Sequence, residues 1–340
     1  MPMSGPVRTT LHALLPALLI LIGGRGLCRA AETASALVAP PDTVSSAPPY
    51  TLRLEWTMDR ETLEAAGIRR PSRLAYDSDG NLHVLDAETR RVVKLDPRGR
   101  VLYAVGGYGS DETSLELPVD IAVDRDQSLL VLDRGRGAIV AFDRAGRFLG
   151  QRLFQGAAAE EARDAGARFL LDRFGKLWLL SPHARDLVPL DDRLGPERAT
   201  RFLVPEDSLV TPVVVAGSPG GEFWIYDAAR VALLEFGASG RLARTIRLSP
   251  SATPVSISDL AVDHAGFLYM GNRAAQCVHA FGESIDGGLI TVRVLGGDKL
   301  PWRPGALAIG PRRQIAVAEP ERDEIQVLMP ESKPLIRRND

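Results

Sequence analysis

The sequence predicts an all-β chain, a six-bladed β-propeller of four-stranded antiparallel blades. Three observations carry this. A unit of short apolar strands and polar turns recurs six times, its turn position Asp77 reappearing at Asp124, Asp172, Ser218, Asp263 and Gly310, at intervals of 45 to 48 residues. Each unit has room for four short strands, and radial closure of such sheets leaves few open edges. The 340 residues are 45% hydrophobic and 25% charged, the balance of a folded globular chain. Basic and acidic side chains number 41 and 43, for a net charge of −2. Without a long basic run, this gives no electrostatic ground for nucleic-acid binding.

From the N-terminus, residues 1–30 read as a secretory signal. Arg8 precedes the apolar run from Leu11 to Gly24, which is too short to span a bilayer, and Cys28 and Ala30 place small residues for cleavage after Ala30. Lipidation of Cys28 is the competing fate, although Leu27 stands where a lipoprotein signal carries Gly or Ala. Cleavage implies an exported protein, periplasmic or extracellular, without a transmembrane span in the mature chain. Cys277 is then the sole cysteine, so no intramolecular disulfide forms, and its apolar neighbourhood marks a buried, inert thiol. Residues 31–49 form an Ala/Pro/Ser-rich linker, 50–330 the propeller and 331–340 a C-terminal tail.

Within each module the first strand is apolar (LAYD, IAVD, FLLD, LAVD) and ends in a D-x-x-G-like turn, where glycine accepts positive φ. The second strand is LHVLD, LLVLD, LWLLS, FWIYD, LYMGN or IAVAE. The third is of the type RVVKLD, and a Gly-Arg turn leads to a fourth such as RVLYAVG. The sixth module lacks its own fourth strand. Leu52 to Trp56 has strand composition and is expected to close the ring from the N-terminus, with Pro334 to Arg338 as the competitor. A short helix is expected within 59–67 and a helical insertion within 157–165.

Residues 71–150, above all PVDIAVDRDQSLLVLD and the preceding GGYG, resemble the NHL repeat of bacterial exported propellers. The later modules keep its hydrophobic pattern but depart at Ser181, Gly217 and Ala318-Glu319. The resemblance implies a six-bladed propeller over roughly residues 50–330. It leaves activity open, since such propellers include recognition modules and a few enzymes.

Enzymes of this architecture hold a metal in the central channel. His83, His183, His264 and His279 fall at unrelated repeat positions, so no zinc site is expected; His83 sits in a mostly large, apolar column and reads as a packing residue. Two polar columns remain. One follows the start of the first strand and consists of Arg73, Asp120, Arg168, Val214, Asp259 and Ala306, with small residues two positions on. Arg73, Asp120, Arg168 and Asp259 vary from blade to blade, which suits either mutual salt bridges across the channel or ligand contact at its mouth. The other closes the second strand: Asp86, Asp133, Ser181, Asp227, Asn272 and Glu319. Each member precedes an arginine, and Asp86, Asp133, Asp227, Asn272 and Glu319 are expected to brace their loops. No nucleophile–base motif or phosphate loop appears. The resulting expectation is a monomeric, non-enzymatic propeller without catalytic residues, metal or cofactor. It would recognise a protein, peptide or glycan on the face carrying the strand 4–1 and 2–3 loops. The alternative is a Ca²⁺-dependent, lactonase-like hydrolase or lyase using channel carboxylates such as Asp120 and Asp259.

Overall fold

The computed structural model describes residues 36–37, 52–197, 209–238, 240–248, 255–283, 289–295 and 303–330. Six small antiparallel sheets form the blades of a propeller. The first holds Pro71–Tyr76, Leu82–Asp86, Arg91–Leu95 and Val101–Gly106, innermost strand first. The second holds Pro118–Val123, Leu129–Asp133, Ala138–Phe142 and Phe148–Leu153. The third has three strands among the described residues: Arg168–Leu171, Leu177–Ser181 and Asp186–Pro189. The fourth and fifth have four each, beginning at Pro212–Gly217 and Ile257–Val262. The sixth contains Ala306–Ile309, Ile315–Glu319 and Glu324–Pro330. Its outer strand is Leu52–Met58, antiparallel to Glu324–Pro330, so the N-terminal segment closes the ring. The competing residues 334–338 lie outside the described residues, as does the signal segment 1–30. Inside the expected linker, Ala36–Leu37 pairs in parallel with Leu242–Arg247, the outer strand of the fourth blade.

The second strands are buried along their whole length, because successive side chains point at different neighbouring blades. Val84 packs in a cluster with Ala306, Ala316 and Ile325 of the sixth blade, whereas Leu85 packs with Ile121, Val131 and Val140 of the second. This explains apolar runs without polar alternation in a strand that meets water on neither face. The short helix is Arg60–Ala65, capped by Asp59, whose Oδ1 accepts the Thr62 N–H at 3.0 Å. Its Leu63 and the following Ile68 are wholly buried between the first and sixth blades. A second helix, Ala158–Glu161, lies ahead of the third blade.

The 1–2 and 3–4 turns of the first blade are each built on an aspartate. Asp77 Oδ1 accepts the N–H groups of Asp79 and Asn81, and Asp96 Oδ1 those of Arg98 and Arg100, with Gly80 and Gly99 at φ of 85° and 80°. In the third and fifth blades the turn aspartate takes a further bond from the second-strand aromatic: Trp178 Nε1 to Asp172 at 3.1 Å and Tyr269 hydroxyl to Asp263 at 3.4 Å. His83 holds this place in the first blade. Its Nε2 stays 3.7 Å from Asp77, too far for a hydrogen bond, because Lys94 Nζ takes that oxygen at 2.9 Å. His83 is buried, as its apolar column suggests, yet neither ring nitrogen has a hydrogen-bond partner among the described residues.

Burial, with Lys94 adding its positive charge, pushes the His83 imidazole below its ordinary value. The unfolded chain therefore binds a proton first, and stability contributed by neutral His83 is lost as pH falls below about 6.5. His83→Leu, which copies Leu130 of the second blade, is expected to stabilise the fold by about 1–2 kcal/mol at pH 8. The gain should be larger at pH 5. Urea unfolding at the two pH values checks this, and a destabilised variant at both would contradict it.

Candidate active site at the channel mouth

The inner strands of the first, second, fourth and fifth blades each carry a bulge just before the third residue: Arg73, Asp120, Val214 and Asp259. A bulge re-aims the side chain that follows it. Arg73 acts electrostatically on both Asp120 of the adjacent second blade and Asp259 of the fifth blade, beyond the sixth. These three residues thus converge near the axis. Arg73 Nε lies 3.7 Å from Asp120 Oδ1, and its Nη1 donates to its own neighbour's carbonyl, Ser72 O, at 2.6 Å. Arg168 does likewise with Ala167 O at 3.0 Å. The Nε of both arginines is buried with no hydrogen-bond partner among the described residues. Val214 and Ala306 are buried and contribute no polar atom.

Both acids are also ties between blades. Asp120 Oδ1 accepts the Ile121 N–H and Oδ2 the Phe169 N–H of the third blade, each at 3.0 Å. Asp259 accepts the Leu260 N–H at 3.0 Å and the Leu307 N–H of the sixth blade at 2.9 Å. Burial pushes Asp120 up to about 7, against the lowering effect of Arg73, and raises Asp259 in the same sense. Near neutrality the mouth thus holds one carboxyl poised between acid and base beside a fixed cation.

The second column surrounds this mouth. Asp86 is fully buried and accepts the N–H groups of Arg69, Arg70, Glu88 and Thr89 together with the Thr89 hydroxyl. Asp133 accepts from Glu116, Leu117, Gly135 and Arg136, and Asp227 from Val210, Thr211, Ala229 and Arg230. Asn272 accepts the Ser256 and Ala275 N–H groups. Among the described residues Glu319 accepts only that of Arg303 and its buried Oε1 has no partner, and burial raises its pKa. The donors are backbone amides; of the following arginines, Arg136 approaches its acid at 3.8 Å.

A Ca²⁺ ion needs six to eight oxygen ligands. The channel offers two carboxylates, each already engaged through both oxygens, with a guanidinium between them. No group of three or more His, Cys, Asp or Glu among the described residues could hold a metal. The donor set does not fit the ion. Of the histidines, His279 Nε2 lies 3.2 Å from the buried Cys277 sulfur, away from the mouth.

No protein-family model and no curated protein matches the sequence. Solved structures match the fold. A streptogramin B lyase superposes with a TM-score of 0.59 at 11% identity, over 83% of this chain and 98% of that one. A gluconolactonase from Xanthomonas campestris gives 0.52 at 18%, over 82% and 89%. A calcium-binding regucalcin from Agrobacterium tumefaciens gives 0.55 at 13%, over 85% and 98%. At these identities the likeness establishes the six-bladed architecture, without support for an NHL-repeat family as such. It also corrects the expectation of a non-enzymatic recognition propeller. Structures of this fold are named as a lyase and a gluconolactonase.

Proposed function

We propose that the chain is a hydrolase or lyase whose chemistry takes place at the channel mouth, with Asp120 as the acid–base group and Arg73 as the positioning cation. The observation that carries this is the pairing of a carboxyl held at about 7 with a guanidinium whose buried Nε lies 3.7 Å from it and has no hydrogen-bond partner among the described residues. For an ester or lactone, Arg73 and Arg168 would hold the carbonyl oxygen as negative charge develops there. Asp120 would take the proton of the attacking water and return it to the departing alkoxide as the C–O bond breaks. In an elimination, the same carboxylate would remove the proton α to a carbonyl held by Arg73. The apolar run in residues 11–24 supports export to the periplasm or the exterior. Among the described residues no helix is long and apolar enough to cross a membrane. The repeat pattern of residues 71–150 supports kinship with NHL-like propellers at the level of the blade.

The test is turnover of a panel of lactones, esters and β-elimination substrates by the purified chain, with Arg73→Gln and Asp120→Asn alongside. Turnover should fall at least a hundredfold in either variant. No turnover on the panel, or unchanged turnover in both variants, would overturn the reading. Metal analysis of the same samples separates a carboxyl-driven site from a Ca²⁺ site, which would show stoichiometric ion lost on Asp120→Ala with Asp259→Ala.

A further inference from the structure

On the face that carries the channel mouth, a groove of about 590 Å³ runs between the first and sixth blades. Charged side chains line it: Arg60 and Glu64 of the short helix, Arg69 and Arg70 ahead of the first inner strand, Glu88 of the first blade and Asp323 of the sixth. Two pairs are made within it, Arg60 to Asp323 at 2.8 Å and Arg69 to Glu88 at 3.3 Å. The side chains of Arg70 and Glu64 have no partner among the described residues. The groove is pre-set rather than loose, because Asp86 fixes the backbone N–H groups of Arg69, Arg70 and Glu88 together. Beside it Tyr108 donates its hydroxyl to Glu88 O at 2.9 Å and leaves its ring 70% exposed, with the Arg90 guanidinium 4.4 Å from the ring centre. Arg73 follows Arg70 by three positions, about 10 Å of extended chain, so the groove and the acid–base site are joined by the start of the first inner strand.

These features select a ligand. Three acids set between three arginines leave no run of uncompensated positive charge for the closely spaced charges of a polyphosphate or nucleic-acid backbone. A groove walled by ions has little for an apolar peptide. Alternating donors and acceptors with an exposed, tethered aromatic ring suit a chain of hydroxylated rings whose carboxylates stand one ring apart, so that a single one can meet Arg70. We propose that this groove binds an acidic oligosaccharide: a carboxylate on Arg70, hydroxyls on Glu64 and Glu88, and the apolar face of one sugar on Tyr108. As the substrate class of the channel site it rests on the proposed hydrolase or lyase activity; as a binding site it stands without it.

The experiment is calorimetric titration of the whole chain with α-1,4-tetragalacturonate, neutral maltotetraose and tetrapolyphosphate. Tetragalacturonate should bind, and more weakly as salt rises. Arg70→Ala and Tyr108→Ala should each weaken it at least tenfold, and Tyr108→Phe, which keeps the ring, by no more than threefold. Phe174→Ala removes the exposed aromatic that stacks on Arg173 in a strand 1–2 turn and should leave binding unchanged. Absence of binding, binding indifferent to Arg70→Ala and Tyr108→Ala, or equal binding of either control ligand overturns the inference. Tetragalacturonate binding without turnover of any panel substrate would sink the activity alone, and turnover without groove binding would sink the groove alone.

Discussion

Asp86→Ala is expected to cost on the order of 4 kcal/mol, enough to threaten the fold of a marginally stable chain. The carboxylate has no exposure to water and accepts five hydrogen bonds, four from backbone N–H groups that reach no other partner once it is gone. Orphaning a buried donor costs about 1–3 kcal/mol, partly recovered where water can enter. Asp86→Asn, which keeps one acceptor oxygen, should fall between wild type and alanine. Glu319→Ala provides the internal contrast, since among the described residues the equivalent acid of the sixth blade holds one N–H and leaves Oε1 unpaired. It should cost less than half as much. Urea unfolding at pH 7 measures all three, and a loss below 1 kcal/mol for Asp86→Ala would show that the loops hold themselves. The same variant releases Arg69, Arg70 and Glu88 together, so it should also abolish tetragalacturonate binding under conditions where it stays folded.

The period of the D-x-x-G turn was sufficient to read the blades and the closing strand, because burial on both faces leaves a signal that does not depend on partner identity. Less visible was what the polar columns bond to. The arginines after each second-strand acid left an ion pair and a bond to the backbone both open, and Asp86 and Asp227 accept amides from 16 or 17 residues earlier, a partner no local pattern names. Amides are already fixed by the fold, and holding them costs no side-chain entropy. The tight 2–3 turn was equally hidden. It needs a residue at positive φ, which glycine fills only at Gly137, while Arg90, Arg185, Val231, Gln276 and Asp323 take the same conformation elsewhere. At the channel, composition singled out Asp120 and Asp259. Their ties to Phe169 and Leu307 run to the next blade, about one period on, where a single strand's pattern holds no trace of the partner.

Asp120→Asn should reverse the sign of its effect on stability with pH. In the folded chain the carboxyl is held at about 7, while in the unfolded chain it ionises near 3.9. Between those values the unfolded state has given up the proton that the folded state keeps, so stability falls as pH rises from about 4 to about 7 and is level above. The difference corresponds to about 4 kcal/mol. Asparagine removes that penalty but retains one acceptor, leaving the N–H of Ile121 or Phe169 unpaired at a cost of about 1 kcal/mol. The variant should therefore be less stable than wild type at pH 4 and more stable, by about 2–3 kcal/mol, at pH 8. His83 titrates in both proteins and cancels in the comparison. Over the same range wild-type turnover should show a limb near pH 7 that Asp120→Asn lacks, together with its loss of rate. A variant less stable at both pH values would mean that the ionised carboxylate is a net structural asset, and the case for acid–base chemistry would fall with it. A crossing would identify a residue that weakens the folded state at working pH, a cost that a purely structural tie between blades has no reason to carry and an acid–base group does.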